Sequence, residues 1–476
     1  MPLNPRSCGS IICRAAASRR WVSAVSAVAV ISLVGCDIDG TPSKSAPPQS
    51  TDTKELGVIT GVMERVQKSY VNPVSDNKLS ENALKGMLTG LDPHSDYMNA
   101  TEFARMESDM TGKFAGLGMT IEEENGLPQV LAPVDGTPAA KAGIEPGDLI
   151  VQIDGRPTDG MPLDDVVSRL RGAIGSKVTV MIERDGQKPF NLTLTRATIS
   201  VPSVKSVLEA GNIGYARIAT FDENTQEEML EAISELQRKA GGHLNGFILD
   251  LRDDPGGELD AAIDVAGDFL DGGTIVTTRG REKGDNHAFT AARAGDRIKG
   301  VPMVVLINGA SASAAEIVPG ALQDYHRAKL MGTRSFGKGS VQSIIPVQGG
   351  GALRLTTALY YTPHGRSIQG IGLRPDIPVA LPKNQEVANA VAFSESDYFG
   401  AIRNPGSIQG GETVKPPKPI PPPEVRDFAH PIKPELIATA NDAQLKAAVN
   451  YLQGIARNGK PFNAERLEGA ANVQAH

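Results

Sequence analysis

Two residues between positions 308 and 342 have the types and settings of a nucleophile and its base. Ser313 follows a predicted buried strand, residues 301–307, and stands at the start of a predicted helix. A hydroxyl there lies near free backbone amides and the positive end of a helix dipole, both of which stabilise a developing anion. Lys338 lies between two glycines on a second loop. We therefore predict that Lys338 activates Ser313.

The elements that must position these residues are predicted to form an α/β repeat. Apolar strands are predicted at residues 213–218, 246–252 and 301–307, with helical patterns between them. Such a repeat builds a parallel sheet, and chemistry gathers at the carboxyl ends of its strands. Both Gly256-Gly257 and Ser313 fall at such ends, so we expect them to belong to one site.

Other motifs overlap Lys338, and each fails at a particular position. Residues 332–338 match most of a P-loop, but Gly339 stands where a Ser or Thr should bind magnesium. Ser335 and Lys338 have the Ser-x-x-Lys spacing of penicillin-recognising enzymes, which needs a helical turn that the flanking glycines disfavour. The seven histidines are scattered, without metal-ligand spacing. We expect no metal and no cofactor. The plainer alternative is a Ser/Ala-rich helix start with an ordinary surface lysine.

The composition limits the class of protein. At 476 residues, with 40% hydrophobic and 22% charged residues, the chain is expected to form two or more soluble globular domains. Its net charge is −7, and the first 36 residues hold four arginines and no acid, so the remainder is more acidic still. Nucleic acid is therefore not expected as a partner. The three cysteines, at positions 8, 13 and 36, leave the globular part without a disulfide.

The N-terminus is typical of an exported lipoprotein. An apolar run, residues 21–34, has the length of a signal-peptide core rather than of a secure transmembrane helix. It ends in Leu33-Val34-Gly35-Cys36, which resembles a bacterial lipobox and implies that Cys36 is acylated and anchors the protein to a membrane. An ordinary signal peptide with a chance cysteine is the alternative. Residues 1–36 are thus predicted as a lipoprotein signal peptide and 37–52 as a flexible tether.

Residues 53–107 are predicted to be helical, because apolar residues recur there at helical spacing. This region ends near Asp92-Pro93-His94-Ser95-Asp96. The last three are triad residue types, but adjacent positions do not by themselves form a triad, and we favour a turn that caps and packs. Residues 108–198 change to short strands and resemble a PDZ domain. The resemblance implies that a peptide's C-terminal carboxylate binds the loop amides and that an adjacent strand pairs with the peptide; the residues concerned are Gly116, Leu117, Gly118 and Met119. A small β domain without a ligand is the alternative.

Over about residues 55–385 the chain resembles the carboxyl-terminal processing peptidases (tail-specific proteases), because several motifs occur in that family's order. Besides the PDZ-like segment they are Leu91-Asp92-Pro93-His94-Ser95, Asp250-Leu251-Arg252-x-x-Pro255-Gly256-Gly257, Ser311-Ala312-Ser313-Ala314-x-Glu316-Ile317, Phe336-Gly337-Lys338-Gly339-x-Val341-Gln342 and Tyr361-Thr362-Pro363-x-Gly365.

That resemblance implies a serine endopeptidase with a crotonase-like α/β core at residues 199–384. Ser313 would be the nucleophile, Lys338 the base and Gln342 the residue that orients the lysine. The oxyanion hole would combine the amide of Ala314 with that of Gly256 or Gly257. Such enzymes process or degrade envelope proteins through their free C-termini, on the periplasmic side; some use a lipoprotein adaptor, and homo-oligomers are usual. A scaffold with an inactive protease domain is the rival hypothesis.

Some positions depart from the family pattern. Asp253 and Asp254 replace asparagines and bring negative charge near the proposed oxyanion site, while Pro319 interrupts the nucleophile helix. Residues 385–476 are predicted as a C-terminal extension with a Pro-rich spacer and a terminal helix. The apolar face of that helix, which includes Leu445 and Leu452, is expected to serve self-association.

Overall fold

A computed structural model of the chain describes residues 53–292, 295–387, 394–409, 412–414 and 431–458. The predicted signal peptide with Cys36, the tether and the Pro-rich spacer lie outside these described residues. The chain divides into two compact units, Met1–Tyr70 and Val71–His476. The described element of the first unit is helix α1 (Thr53–Ser69).

The second unit begins with a short helical region. Its elements are α2 (Asp76–Thr89), β1 (Asp96–Met98) and α3 (Ala100–Met110). Ser75 caps α2, since its Oγ accepts a hydrogen bond from the amide of Lys78 at 3.3 Å. Ser75 and Lys78 also have Ser-x-x-Lys spacing, and here the serine serves as a helix cap rather than as a nucleophile.

A small β domain with its own core follows. Its elements are β2 (Lys113–Gly116), β3 (Met119–Glu124), β4 (Leu127–Pro133), α4 (Pro138–Lys141), β5 (Leu149–Ile153), β6 (Arg156–Pro157), α5 (Leu163–Leu170), β7 (Lys177–Glu183), β8 (Phe190–Thr195) and β9 (Ala197–Ser200). The main sheet has the order β3-β4-β5-β7-β8, and β2 pairs with β9 as a separate two-stranded stem. Because β2 and β9 are the entrance and the exit, this domain is an insertion joined to the rest by one stem.

The largest part is built on a mostly parallel sheet. Its elements are β10 (Val204–Glu209), β11 (Ile213–Ile218), α6 (Thr225–Lys239), β12 (Gly246–Asp250), α7 (Leu259–Gly267), β13 (Gly273–Gly280), β14 (His287–Ala291), β15 (Met303–Ile307), α8 (Ala314–Asp324), β16 (Lys329–Gly332), β17 (Ser340–Pro346), β18 (Ala352–Tyr361) and β19 (Ile377–Pro378). The six-stranded sheet has the order β10-β11-β12-β15-β16-β19, parallel from β11 onward. A second sheet has the order β1-β18-β13-β14, with β17 also on β18. The predicted α/β core is confirmed.

Alternate side chains of the buried strands face opposite sides of the parallel sheet. Phe247 and Leu249 belong to the core that includes residues of α6, α7 and α8. Ile248 faces the other side, where it packs with the terminal helix α9 (Ala443–Asn458). The described C-terminal part also contains β20 (Ser407–Gln409) and β21 (Glu412–Val414), a two-stranded pair.

The apolar face of α9 is buried in the chain's own core rather than exposed. Leu445 and Leu452 are 3% and 0% exposed and pack against the parallel sheet. Our expectation that this face serves self-association is therefore wrong. Pro319 lies inside α8, which nevertheless continues from Ala314 to Asp324. Among the residues that the structure describes, no helix combines the length and apolar character needed to cross a membrane.

Candidate active site

Ser313 lies on a sharp turn between β15 and α8. Its backbone has φ 55° and ψ −117°, a conformation that non-glycine residues rarely adopt and that costs about 1–3 kcal/mol. Contacts on both sides hold the turn. Ser311 donates its hydroxyl to the Leu251 carbonyl at 2.7 Å and accepts the Asn308 amide at 2.9 Å. The turn leaves Ser313 at the helix N-terminus, half-buried and facing a cavity.

The glycine loop that follows β12 approaches this turn closely. A Cβ on Gly256 would lie 3.0 Å from the Ser313 Cβ and 2.9 Å from the Ala314 amide nitrogen. A Cβ on Gly257 would lie 1.9 Å from the carbonyl oxygen of Phe221. Both positions have positive φ, 97° and 148°. Only glycine fits there, so the sequence brings the loop and the serine together as we expected.

The structure distinguishes the two candidate oxyanion glycines. Gly256 already donates its amide to Asp254 Oδ1 at 2.8 Å, so our inclusion of Gly256 as a donor is not supported. The Phe221 amide donates to the Gly256 carbonyl, and the Phe221 carbonyl accepts the Glu258 amide. Because these two groups face Phe221, the Gly257 amide between them points away from Phe221. Among the described residues, the amides of Gly257 and Ala314 donate to no partner. These two are the available donors beside Ser313.

Burial raises the pKa of both unexpected aspartates. Burial raises the pKa of Asp254 well above its ordinary value, against the hydrogen bond from the Gly256 amide. Burial also raises the pKa of Asp253, whose carboxylate accepts the Asn308 side-chain amide at 2.8 Å. Because both shifts favour the neutral acid, these residues bring less negative charge to the oxyanion site than their types suggest.

Lys338 lies on the loop between β16 and β17 and lines the same cavity as Ser313, of about 520 Å³. Burial lowers the pKa of its ammonium, and the Arg354 cation lowers it further, while Glu395, Glu316 and Asp92 oppose the shift. A neutral amine is the form that can accept a proton. Within the described part of the chain no hydrogen bond joins Ser313 Oγ to Lys338 Nζ, a bond that often tightens only when substrate binds.

Glu316 connects the serine turn with the lysine loop, a role that we did not predict. It is fully buried, and its carboxylate accepts the amides of Ser313, Gly337 and Lys338 at 2.8–2.9 Å. Burial raises the pKa of Glu316 to about 7, against these hydrogen bonds and the one from Ser335. An acid three residues after a serine at a helix start is a capping-box pattern, which could have identified it.

Ser335 has a structural role in this arrangement. Its hydroxyl donates to Glu316 Oε1 at 2.5 Å and accepts the Leu373 amide at 2.7 Å. It is fully buried and lies on no helical turn with Lys338. These contacts argue against the Ser-x-x-Lys interpretation.

Gln342 lines the cavity but makes different contacts from those that we predicted. Its side-chain amide donates to Ser340 Oγ at 3.0 Å and to Thr356 Oγ1 at 3.2 Å, and among the described contacts none joins it to Lys338. Thr356 in turn donates to Asp92, whose carboxylate also accepts the amides of His94 and Ser95. Residues 92–95 therefore form the capping turn that we favoured, and it supports the strand behind Gln342.

A second group that the sequence did not predict lies behind the lysine loop. The Gly339 amide donates to Gln369 Oε1 at 2.8 Å, and Gln369 Nε2 donates to Glu395 Oε1 at 2.9 Å. The other oxygen of Glu395 lies 2.8 Å from Nε2 of His94. This path joins the N-terminal turn, the C-terminal part of the chain and the residue after Lys338.

The loop predicted to bind a C-terminal carboxylate is held by its carbonyl groups. Leu117 accepts the Ala139 amide, and Gly118 accepts the Thr137 hydroxyl at 2.9 Å. Gly118 has φ 77°, and a Cβ there would lie 2.4 Å from Thr137. In the described part of the chain the amides of Leu117 and Gly118 donate to no partner. Within the described ranges, no three His, Cys, Asp or Glu side chains could hold a metal ion together.

Three family descriptions match parts of the chain. Residues 212–379 match peptidase family S41, residues 129–184 match a PDZ domain, and residues 33–102 match the N-terminal domain of the activating protease CtpB.

Relatives match over most of their length. A carboxy-terminal-processing protease of Bartonella bacilliformis is 48% identical over 353 residues, covering 74% of this chain and 81% of that protein. The carboxy-terminal processing protease CtpA of Bacillus subtilis is 33% identical, covering 77% and 76%. Among solved structures, the photosystem II D1 C-terminal processing protease is 29% identical, covering 68% of this chain and 93% of that one, with a TM-score of 0.41. The chain therefore belongs to peptidase family S41, as a carboxy-terminal processing serine protease that carries a PDZ domain.

Proposed function

We propose that this protease cleaves peptide bonds with Ser313 as the nucleophile and Lys338 as the general base. The observation that carries the proposal is their position in one cavity, where burial lowers the pKa of Lys338. A lysine can serve as a base near neutral pH only when its surroundings favour the neutral amine. No acidic side chain among the described residues forms an ion pair with it.

The neutral Lys338 amine takes the Ser313 hydroxyl proton while Oγ bonds to the scissile carbonyl carbon. The carbonyl oxygen becomes an oxyanion that accepts hydrogen bonds from the amides of Gly257 and Ala314. The Lys338 ammonium then gives its proton to the leaving amine, and an acyl-enzyme remains. Lys338, now neutral, takes a proton from the water that attacks the acyl carbon; the acyl C–Oγ bond then breaks, the Lys338 ammonium returns the proton to Ser313 Oγ, and the acid product leaves. Loss of one oxyanion donor typically costs about 10²–10³ in kcat.

The cavity has an apolar wall that suits an apolar substrate side chain next to the cleaved bond. Met106 and Met110 of α3, Ile317 of α8 and Ile344 of β17 line it together with Ser313. Burying an aliphatic side chain there stabilises the bound substrate by about 1.5–3 kcal/mol. Peptides with a charged residue at that position should therefore be poor substrates.

The PDZ domain holds the substrate by its free C-terminus. The amides of Leu117 and Gly118 face no partner within the described residues and can receive the terminal carboxylate, with Gly116 and Met119 beside them. A strand of the domain then pairs with the peptide backbone. Capture of the tail raises the local concentration of the rest of the substrate.

The enzyme acts on the periplasmic side of the bacterial envelope and is held to a membrane through acylated Cys36, where it processes or degrades envelope proteins. These points, with a lipoprotein adaptor and a homo-oligomer as partners, rest on the lipobox-like Leu33-Val34-Gly35-Cys36 and on the family resemblance. The mass of the mature N-terminus tests the anchor. A diacylated or triacylated Cys36 is expected, and an unacylated start beyond Cys36 would rule the anchor out.

Cleavage of an unfolded protein by the chain without residues 1–36 tests the chemistry. We expect Ser313→Ala and Lys338→Ala each to lower kcat at least about 10³-fold, because the dyad acts as a unit. Ser234→Ala, on the exposed side of α6, is the matched serine control. A fluorophosphonate should label Ser313 in the wild type and in Ser234→Ala, and neither Ser313→Ala nor Lys338→Ala should be labelled. Full activity of Ser313→Ala would reject the dyad, and an inactive wild type that still binds peptide tails would favour the scaffold hypothesis.

A further inference from the structure

Arg252 is a fully buried arginine on the loop that carries the oxyanion glycine. It follows β12 by two residues and precedes Gly257 by five. Its Nε and Nη2 donate to the two oxygens of Asp250 at 2.9 and 2.6 Å. Both side chains are 0% exposed. These two hydrogen bonds are local in sequence, because Asp250 is the last residue of the strand that precedes the loop.

The remaining hydrogen bonds of the Arg252 guanidinium go to the C-terminal part of the chain. Asp442 accepts Arg252 Nη1 at 3.0 Å and Nη2 at 2.6 Å, and Gln444 Oε1 accepts Nη1 at 3.0 Å. Asp442 and Gln444 are also 0% exposed. The five-donor fork of the guanidinium is thereby held between two carboxylates and an amide.

Asp442 and Gln444 are themselves fixed in place. Asp442 stands just before α9 and accepts the Leu445 amide at 3.0 Å, as a helix cap does. Gln444 donates to the Val379 carbonyl at 2.7 Å, next to the edge strand β19. The start of α9 therefore cannot shift without moving the guanidinium that it holds.

Arg252 passes this restraint to the catalytic loop. The next residue, Asp253, has φ 56° and donates its amide to Asn308 Oδ1 at 3.0 Å. Asp254 accepts the Ala312 amide with its carbonyl and the Gly256 amide with its side chain. The backbone from Arg252 to Gly257 is thus a short tethered path that ends at the free amide beside Ser313.

We infer that Asp442 and Gln444 are positioning residues for proteolysis, which hold Arg252 so that the Gly257 amide meets the oxyanion. The C-terminal segment would then complete the active site rather than merely follow it. This inference rests on the proposed Ser–Lys chemistry, because it concerns the donor that stabilises the tetrahedral intermediate of that chemistry.

The test uses the full-length mature protein, a fluorogenic peptide and a boronate of the same peptide sequence. A boronate bonded to Ser313 is tetrahedral and needs the oxyanion donors, whereas the bound peptide needs them little. We expect Asp442→Asn and Gln444→Met to lower kcat about 10–100-fold. KM should change less than about 2-fold, and the boronate Ki should rise in proportion to the loss in kcat/KM.

Leu452→Ala is the matched control, because Leu452 lies on α9, is fully buried and packs near Gly246, at the end of β12 away from Arg252. It should lower Tm at least as much as the other two variants while leaving kcat and the boronate Ki near wild type. Should Asp442→Asn fail to fold, Gln444→Met decides alone, since it removes no charge and leaves the helix cap, although it also removes the donor to the Val379 carbonyl.

Variants at Asp442 and Gln444 that lower Tm but keep the wild-type kcat and boronate Ki would overturn the inference. An equal rise of the boronate Ki in Leu452→Ala would overturn it too, since general loosening would then be the cause. Failure of the proposed function looks different: the boronate would bind Ser313→Ala as tightly as wild type. In that case the inference falls with the chemistry on which it rests.

Discussion

At the scale of single residues, the proposed mechanism depends on how easily Lys338 loses its proton. Arg354 lines the same cavity and donates its Nε to the His94 carbonyl at 3.1 Å. Its charge lowers the pKa of Lys338, second only to burial. A cation that is fixed near the lysine therefore favours the neutral amine that acts as base.

Replacing Arg354 by glutamine should move the pH dependence of catalysis to higher pH. Without the Arg354 cation the Lys338 ammonium is less disfavoured, so its pKa rises and a smaller fraction is neutral at pH 7. The acid limb of kcat/KM against pH reports this group in the free enzyme. Arg238→Gln on exposed α6 is the control. An acid limb that does not move would show that Arg354 does not lower the pKa of the base.

The pKa of Glu316 predicts a dependence of stability on pH. Its pKa rises from 4.5 to about 7 in the folded protein. The folded state thus binds this proton more tightly than the unfolded state. The resulting stabilisation is fully present below about pH 4.5 and is lost as pH rises to about 7, by on the order of 3 kcal/mol.

Glu316→Gln should remove that dependence. Urea unfolding between pH 4.5 and 8 should show the free energy of unfolding of wild type falling relative to the variant. The variant should also lose kcat, because glutamine offers one acceptor oxygen, whereas the carboxylate accepts the Ser313 and Lys338 amides with Oε2 and the Gly337 amide with Oε1. Parallel stability curves for the two proteins would contradict the raised pKa.

Some of the site could be read from residue types and some could not. Ser313 and Lys338 stand out because small residues surround them, and close approach requires small residues. The choice between Gly256 and Gly257 depends on where the Asp254 side chain points, which no local pattern encodes. The same holds for Gln342, whose amide turns toward Thr356 rather than Lys338.

At the scale of elements, the buried parallel strands were the most predictable. The strand predicted at residues 213–218 agrees with β11 (Ile213–Ile218), in which every residue except the half-buried Arg217 is buried, as expected of a strand covered on both faces. The terminal helix was also visible in the sequence, but its partner was not. An apolar face records that something covers it and not which surface does, so α9 was assigned to the wrong partner.

Glu395, in the single turn Glu395–Asp397, is expected to shift the pKa of Lys338 in the direction opposite to Arg354. Glu395 is fully buried behind the lysine loop, and its carboxylate raises the pKa of Lys338. Glu395→Gln removes that charge and keeps an oxygen for Gln369. The acid limb of kcat/KM should therefore move to lower pH, opposite to the shift in Arg354→Gln.

The double variant Arg354→Gln with Glu395→Gln makes this prediction sharper. If both side chains act on Lys338 through charge, the two shifts should largely cancel and the limb should return toward wild type. A shift of both single variants in the same direction would mean that they act by deforming the loop rather than through charge.

At the scale of the whole molecule, the PDZ domain and the protease part each have their own hydrophobic core. The PDZ core includes Leu117, Val130 and Val180, and the main protease core includes Phe247 and Val305. The stem of β2 and β9 connects them, with Gly116 opposite Ala197 at its PDZ end. The cation of Arg171 also lies 4.6 Å from the ring centre of Phe114 in the stem.

This connection allows the PDZ domain to be removed without cutting the protease core. Residues 117–196 can be replaced by Asn-Gly, since a two-residue turn of that type closes an antiparallel pair whose flanking residues face each other. The shortened enzyme should fold and still cleave the fluorogenic peptide. It should no longer distinguish a protein with a free C-terminal carboxylate from the same protein ending in an amide.

A point variant separates loss of the carboxylate loop from loss of the whole domain. Gly118→Ala places a Cβ 2.4 Å from Thr137 at a φ of 77°, so it should deform the loop amides and leave the protease core untouched. Rates measured on the acid and amide substrates should then become equal in both variants, because neither can bind the carboxylate. Wild-type discrimination in the shortened enzyme would place tail recognition outside the PDZ domain, and discrimination in Gly118→Ala alone would place it on other PDZ residues.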